Sequence, residues 1–155
     1  MTYAVVRVRG HVNVRGQIGD TLRYLRLHRT NHCVLLPQTA TVDGMLRRAK
    51  DYVTWGEVDP TVTAQLLLKR SRVDDTYVKA HTPFPSVNSL AKAVAAGEAS
   101  LGDVPGVKPV IRLHPPRGGY EGTKRGYAEG GSLGYRGQDI NALLVRMLGP
   151  GGRHG

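Results

Sequence analysis

Short runs of β-forming residues alternate with amphipathic helical patterns along this sequence, and that alternation constrains its fold more than any other feature. Strand patterns span Tyr3 to Arg9, His32 to Leu36, Tyr52 to Trp55 and Val107 to Leu113. In the first run valine alternates with arginine, so Arg7 is predicted to lie on a polar face of its strand. Because a helical pattern separates each of the first three runs, the first 57 residues predict the order βαβαβ.

Five helices are predicted from capping residues that precede an apolar stripe. The predicted N-caps are Asp20, Thr41, Asp59, Ser86 and Asp139. Proline follows Asp59 at the first helical position, and Gly97 is placed to end the helix that Ser86 begins. Asp74 and Asp75 fall between two of these helices. They are predicted to be a solvated loop pair without a metal or acid–base role.

The charge of the chain is concentrated toward its two ends. The sequence carries 22 Lys+Arg and 12 Asp+Glu, a formal charge of +10. Nine basic and four acidic residues lie in the first 57 positions, and seven and three lie in residues 112–155. Such an excess most often serves a polyanionic partner. The lone cysteine, Cys33, suits a reducing compartment, and we expect a soluble, intracellular protein because no signal peptide or membrane span is evident.

The stretch from Arg112 to Gly137 holds glycine, arginine, lysine and tyrosine and little that a core could bury. We interpret it as an RNA-binding loop. Glycine lets the backbone approach a phosphate, arginine and lysine supply charge and donors, and tyrosine stacks on unpaired bases. The alternative is an inert low-complexity loop. Aromatic residues are unusual in inert linkers, and a capped helix follows this stretch, so binding is favoured.

The predicted contacts fall into two groups. The expected phosphate contacts in the loop are Arg112, Arg117, Lys124, Arg125 and Arg136, and the expected stacking residues are Tyr120, Tyr127 and Tyr135. Gly118 and Gly119 would allow close approach, and His114 to Pro116 would set the trajectory of the loop. A second contact is predicted at Arg15 and Gly16, where the N-terminus of the first helix favours a phosphate.

Motifs of other functional classes are missing from the sequence. No G-x-x-x-x-G-K-[ST] is present and no G-x-G-x-x-G follows a strand, which argues against a nucleotide enzyme. His28, His32 and Cys33 suggest a metal site, but no second ligand pair lies at zinc-like spacing. We therefore predict no catalytic residue, no metal, no cofactor and no small-molecule substrate.

A specific spacing between residues 21 and 53 resembles a known family. It consists of Thr21-Leu22, Leu25, Leu27, Arg29, His32, Val34, Met45-Leu46, Ala49 and Tyr52-Val53. This pattern is similar to the signature of the universal L-thirty family of large-subunit ribosomal proteins. The resemblance implies an α+β fold, a small βαβαβ domain related to the ferredoxin-like class with an antiparallel sheet, over residues 1–57.

The rest of the chain resembles the archaeal form of that family, which is kin to the eukaryotic large-subunit protein L-seven. The resemblance lies in residues 113–119 and 129–134. It implies that residues 58–155 form an α-rich extension packed on the core, with the RNA-binding loop at 112–137 and a terminal helix at 139–148. The chain starts at its first strand without the long basic extension of eukaryotic relatives, so we expect a prokaryotic protein.

The resemblance also implies a function. It predicts a structural constituent of the large ribosomal subunit in the cytoplasm that binds 23S rRNA and takes no part in catalysis. Further expected contacts are the 5S rRNA and neighbouring large-subunit proteins, and no membrane is expected. The alternative is an RNA-binding or regulatory module that acts outside the ribosome, which would share the charge pattern.

Overall fold

Eleven helices and strands are assigned in a computed structural model of the chain. It describes residues 2–10, 16–101, 104, 106–107, 110–117, 119–120, 122 and 126–148. The strands are β1 (Thr2–Arg7), β2 (His32–Pro37), β3 (Val53–Glu57), β4 (Val110–Arg112) and β5 (Gly134–Tyr135). The helices are α1 (Gly16–Tyr24), α2 (Ala40–Arg48), α3 (Pro60–Lys69), α4 (Asp75–His81), α5 (Val87–Ala96) and α6 (Ile140–Met147). Short 3-10 turns cover Tyr127–Glu129 and Gly137–Asp139. No described helix is long and apolar enough to cross a bilayer.

The five strands form one sheet in the order β4-β2-β1-β3-β5. β1 is central and antiparallel to both neighbours, with Val5 opposite Val34 on one side and Trp55 on the other. β4 adds to β2 in the antiparallel sense, and β5 adds to β3 in the parallel sense. The α+β class and the βαβαβ order of the first three strands are confirmed. β5 was not predicted, because it is two residues long and lies within the glycine-rich stretch.

Both faces of the sheet are covered by helices. On one face Val5 packs with buried residues of α1 and α2, including Leu22 and Leu46. On the other face Ala4 and Val6 pack with α3, α5 and α6. The alternation of β1 therefore reflects two separate cores, one on each side of a central strand.

The prediction of a polar face on β1 is wrong at Arg7, which is only 3% exposed. Its guanidinium donates to the carbonyl oxygens of Leu27 at 2.7 Å, Arg9 at 2.9 Å and Gly10 at 3.1 Å. Burial lowers the pKa of Arg7. These carbonyls lie where β1 ends and where the chain leaves α1, so the arginine satisfies loop backbone that would otherwise be buried without donors.

Two helix starts differ from their predicted positions. α1 begins at Gly16, so Asp20 lies inside the helix and forms an ion pair with Arg23. The N-cap of α2 is Thr39 instead of Thr41, and its Oγ1 accepts from the Val42 amide at 3.2 Å. At α2 a second polar residue near the helix start was available, and the sequence did not distinguish Thr39 from Thr41.

Other boundaries follow the sequence closely. α3 begins after Asp59 with Pro60 at its first position, and the Ser86 side chain caps α5 by accepting from the Ser89 amide at 3.2 Å. Gly97 ends α5 at φ 85°, a left-handed conformation that glycine adopts without a Cβ clash. Asp139 precedes α6 but gives no side-chain cap.

The acidic pair between α3 and α5 is exposed, as expected of a solvated pair, but the prediction that it lies in a loop is wrong. Asp74 caps α4, its Oδ1 accepting from the Tyr77 amide at 2.8 Å. Asp75 Oδ1 accepts from the Val87 amide at 2.8 Å and so joins α4 to the start of α5. Both carboxylates therefore accept backbone N–H groups at helix starts, which the sequence pattern did not reveal because α4 is only seven residues long.

Candidate nucleic-acid interface

β4 places Arg112 at an open edge of the sheet. Arg112 pairs with His32 across the β2–β4 ladder, and the flanking Ile111 and Leu113 are buried while Arg112 is exposed. This alternation is the ordinary two-residue period of a strand with one core face. The Arg112 side chain makes no hydrogen bond or ion pair with the described residues, so its guanidinium is available to a ligand.

Arg70, at the C-cap of α3, ties that helix to the chain that follows β4. Its Nε donates to the Arg112 carbonyl at 2.7 Å, and its Nη1 lies 3.1 Å from His114 Nε2. Because a guanidinium only donates, His114 Nε2 is the acceptor, and the proton of the neutral ring is on Nδ1. Burial, with the nearby charge of Arg72, lowers the pKa of Arg70. The His114 side chain is thus held in place by an arginine at the end of α3.

An open groove of about 430 Å³ lies along this edge. We call it the β4 groove. The described residues that line it are Arg70, Ser71, Arg72, Gly106, Val107, Val110, Ile111 and Arg112. Three of these are arginines and none is acidic. Concave surfaces lined by one sign of charge concentrate field lines and attract counter-ions, so the groove is suited to an anionic ligand.

The positive field extends beyond the groove to the end of β2. Burial lowers the pKa of His32, and the charges of Arg112, His28 and Arg29 lower it further, followed by that of Arg7. A lowered pKa means that the ring is neutral at neutral pH. The fold therefore brings Arg7 of β1, Arg29 before β2 and Arg112 of β4 to one end of the sheet, where a polyanion would relieve their mutual repulsion.

A turn after the groove presents Arg117. The Arg146 side chain, from α6, donates to the Arg117 carbonyl at 3.0 Å from Nε and 2.7 Å from Nη2, and Nη2 also donates to the Gly119 carbonyl. The Gly119 amide closes the turn on the Pro116 carbonyl at 2.9 Å, with Gly119 at φ 77°. The Arg117 side chain is exposed and bonds to none of the described residues. α6 thus holds this turn in place while its arginine projects outward.

Tyr120 is partly buried and turned toward the interior. Its hydroxyl donates to Asn31 Oδ1 at 2.6 Å, and its ring packs against the core beneath α3, α5 and α6. Burial is the main cause of a raised Tyr120 pKa. The prediction that Tyr120 stacks on a base is therefore not supported by its position, since the ring already packs on the core.

Arg136, predicted as a phosphate contact, is only 7% exposed. Its Nε donates to Thr54 Oγ1 at 2.8 Å, its Nη2 donates to the Ser132 carbonyl at 2.9 Å, and its guanidinium carbon lies 4.7 Å from the centre of the Tyr127 ring. The Tyr127 hydroxyl donates to Asp139 Oδ2 at 2.5 Å. These contacts fix the 126–139 segment onto β3, so they stabilise the fold and leave Arg136 poorly placed to reach a phosphate.

Tyr135 remains the accessible aromatic residue of the stretch, with 52% of its surface exposed. Its ring centroid lies 6.5 Å from that of Tyr3 and 6.3 Å from that of Trp55. Its hydroxyl donates to Glu57 Oε1, and that bond, with burial and the Glu57 charge, raises the pKa of Tyr135 to about 12. Tyr135 belongs to β5, at the edge of the sheet opposite Arg112.

The predicted loop is thus two regions instead of one surface. Arg112 lines the β4 groove, His114 bonds to Arg70 of that groove, and Arg117 and Gly119 follow on a turn held by Arg146 of α6. Tyr127, Tyr135 and Arg136 lie around β5. The described part of 112–137 begins at the last residue of β4 on one sheet edge and supplies β5 on the other. Composition alone could not distinguish this course from a hanging loop.

The remaining predicted contacts are less defined. Arg15, Gly118, Lys124 and Arg125 lie outside the described residues. Gly16 is exposed at the start of α1, whose first turn carries no acidic residue. No cluster of three or more His, Cys, Asp or Glu side chains that could hold a metal ion occurs in the part of the chain that the structure describes.

Three arginines of this surface were missed by the sequence analysis. They are Arg70, Arg72 and Arg146. The run Lys69-Arg70-Ser71-Arg72 at the end of α3 was a usable signal, because it places three cations in four residues. Arg146 gave no signal, since it is a single cation on the outer side of an amphipathic helix.

Comparisons with known proteins identify relatives of this chain. The model of the family described as Ribosomal protein L30p/L7e matches residues 3–53. The chain is 51% identical over 156 residues to "Large ribosomal subunit protein uL30" of Methanococcus maripaludis, an alignment that covers 96% of this chain and 100% of the relative. The protein of the same name from Methanoregula boonei is 51% identical over 152 residues, covering 94% and 99%. That of Methanocorpusculum labreanum is 50% identical over 151 residues, covering 94% and 99%.

Proposed function

From the premise that this chain belongs to the L30p/L7e family of ribosomal proteins, we propose that it binds 23S rRNA through the β4 groove and the adjoining turn. As a member of the family it is a structural constituent of the large ribosomal subunit, which is a cytoplasmic particle. The assignment calls for no catalysis. Association with neighbouring large-subunit proteins accompanies it, and contact with the 5S rRNA is a further part of the proposal.

One observation carries the proposed binding site. Arg112 and Arg117 are exposed and carry no described partner, and Arg112 lines a groove that holds two further arginines and no described acid. A charged arginine on a solvated surface is usually balanced or dispersed. Here three arginines line one groove and a fourth follows on the adjoining turn, and guanidinium groups match the geometry of phosphate oxygens. An RNA backbone that follows this edge of the sheet could contact Arg70, Arg72 and Arg112 in the groove and then Arg117 on the turn.

Not every residue of the predicted set is retained. Arg136, Tyr120 and Tyr127 are assigned to the fold because each is buried or half-buried and its polar group bonds within the fold. The Tyr135 hydroxyl is bonded too, but its side chain is exposed. Tyr135 is retained as a stacking residue at the opposite sheet edge. Arg15, Gly16, Gly118, Gly119, Lys124 and Arg125 also remain proposed contacts.

Replacing Arg112 and Arg117 together by alanine tests the groove directly. Each phosphate contact contributes about 0.7 to 0.9 to the slope of log affinity against log salt, so the double variant is expected to flatten the slope by about 1.4 to 1.8. The measurement is a fluorescence titration of 23S rRNA, transcribed from the Methanococcus maripaludis sequence, at several salt concentrations. Both side chains are exposed, so the urea midpoint should stay near that of the wild type.

The matched control is Lys92→Ala, which removes one exposed charge from α5. Its slope should equal that of the wild type. A double variant that binds with an unchanged slope would remove the β4 groove from the interface while leaving the family assignment intact.

A further inference from the structure

The turn that joins α1 to β2 carries a dense set of exposed polar side chains on a buried framework. We call residues 23–29, which are the last two residues of α1 and the five that follow, the α1–β2 turn. Leu22, just before it, and Leu25 and Leu27 within it are buried in the core beneath α1 and α2. The other residues of the turn are all exposed, and they are Arg23, Tyr24, Arg26, His28 and Arg29. The leucines fix the backbone, so the outward positions of these five side chains are set by the fold.

Arg26 sits in a backbone conformation that arginine does not favour. Its φ is 64°, in the left-handed region, where a Cβ is crowded and glycine is the usual residue. Of the three described non-glycine residues with positive φ, Asn31 belongs to a type that tolerates this region and bonds to Tyr120. The other two are exposed arginines, Arg26 here and Arg72 in the β4 groove.

The cause of this conformation lies in the neighbours of Arg26. The amides of Leu25 and Leu27 donate to the carbonyls of Thr21 and Leu22 at 3.0 and 2.9 Å, and both side chains are buried. The Arg26 side chain is exposed and forms no hydrogen bond or ion pair with the described residues. The left-handed residue ends α1, with the Arg26 amide donating to the Arg23 carbonyl at 2.9 Å, and glycine would adopt this conformation at lower cost than arginine. An exposed arginine at a position that favours glycine suits a function of its side chain.

The chemistry of the turn fits RNA. Arg26 and Arg29 are cations, and Tyr24 is 80% exposed beside an open hollow lined by Asp20, Arg23 and Tyr24. The Asp20 carboxylate is already paired with Arg23. The turn also adjoins the β4 groove, because the His32 amide donates to the Arg29 carbonyl at 3.3 Å and His32 pairs with Arg112 across the β2–β4 ladder. A single chain of phosphates could therefore pass from one surface to the other.

We propose that the α1–β2 turn is a second RNA contact of this protein, in which Arg26 and Arg29 bind phosphates and Tyr24 stacks on an unpaired base. The inference rests on the proposed function, since it names a further part of the same interface. It uses none of the residues of the β4 groove. RNA binding would explain why this position holds arginine, whereas stability would favour glycine.

Arg26→Gly separates function from stability, because the two should change in opposite directions. Glycine relieves the left-handed conformation, so the urea midpoint should equal or exceed that of the wild type. The affinity for 23S rRNA transcribed from the Methanococcus maripaludis sequence should fall, and the salt slope should flatten by about 0.7 to 0.9. Arg26→Lys keeps both the charge and the conformation, so its slope should match the wild type. Tyr24→Ala should weaken binding at least about fivefold.

A control variant and three possible results separate failure of the second contact from failure of the proposed function. Lys92→Ala removes a charge from the opposite face of the sheet and should bind like the wild type. If Arg26→Gly binds with wild-type affinity and slope while the Arg112 and Arg117 double variant is weakened, the second contact is overturned and the groove stands. If the wild type fails to bind the transcript, the proposed function itself fails. If the Arg26→Gly variant binds the transcript with wild-type affinity but is missing from assembled large subunits, the turn contacts a protein partner and the proposal is overturned.

Discussion

Replacing Gly56 by alanine is expected to destabilise the protein by about 3 kcal/mol or more, a large effect for a single added methyl group. A Cβ at this position of β3 would lie 1.8 Å from the Gly137 carbonyl oxygen, 2.8 Å from its carbon and 3.1 Å from Ile140 Cβ. The obstacle is mostly backbone, which cannot rotate away as a long side chain can. The segment that leads into α6 must move off β3, and the buried Ile140 moves with it.

Urea denaturation of the purified protein measures this change, and hydrogen exchange locates it. We expect the amides of α6 to lose protection first in the variant, because α6 begins three residues after Gly137. The matched control is Gly44→Ala in α2, where an added Cβ has nothing within 4 Å. That variant should gain about 0.5 to 1 kcal/mol, since alanine is the better helix former. Equal effects of the two substitutions would contradict the close packing of β3 on the 3-10 turn.

Replacing Arg136 by alanine is expected to destabilise the protein by about 2 to 3 kcal/mol and to leave the salt dependence of RNA binding unchanged. The substitution removes the buried donor to Thr54 Oγ1 and the Ser132 carbonyl, and it uncovers the Tyr127 ring. Buried acceptors that lose their donor account for most of the cost. This result would reverse the interpretation that the sequence alone suggests for an arginine in a glycine-rich stretch.

The comparison is with the Arg112 and Arg117 double variant, which should show the opposite combination of a flatter salt slope and an unchanged urea midpoint. Both measurements are made on each variant, at temperatures where the weaker variant remains folded. If Arg136→Ala kept wild-type stability and flattened the slope by about one contact, Arg136 would belong to the interface after all.

Local features of the fold were predictable from the sequence. The starts of α3 and α5 follow from Asp59-Pro60 and Ser86, and the end of α5 follows from Gly97, because each signal acts over a few residues. Where two polar residues competed for one helix start, as at Thr39 and Thr41, the sequence did not distinguish them. α4 was missed because a pair of aspartates is as typical of a polar loop as of a helix start.

Long-range placements were not predictable in the same way. The β4 groove exists because His32 and Arg112 pair across 80 residues of sequence, and no periodicity encodes that pairing. Arg7 and Arg136 were predicted to be exposed because arginine usually is, yet each is buried with backbone or hydroxyl acceptors. The predicted RNA-binding stretch therefore combines the exposed Arg112 and Arg117 with residues that the fold itself uses.

Sedimentation of the protein with salt-washed large ribosomal subunits tests its place in the ribosome most directly. An affinity-tagged copy would be expressed in Methanococcus maripaludis, whose own uL30 is 51% identical to it, and the lysate resolved on a sucrose gradient after a high-salt wash. We predict that the protein sediments with the large subunit and stays there through the wash. Recovery only at the top of the gradient, or bound to small RNA species, would contradict the assignment and favour an RNA-binding module that acts outside the ribosome.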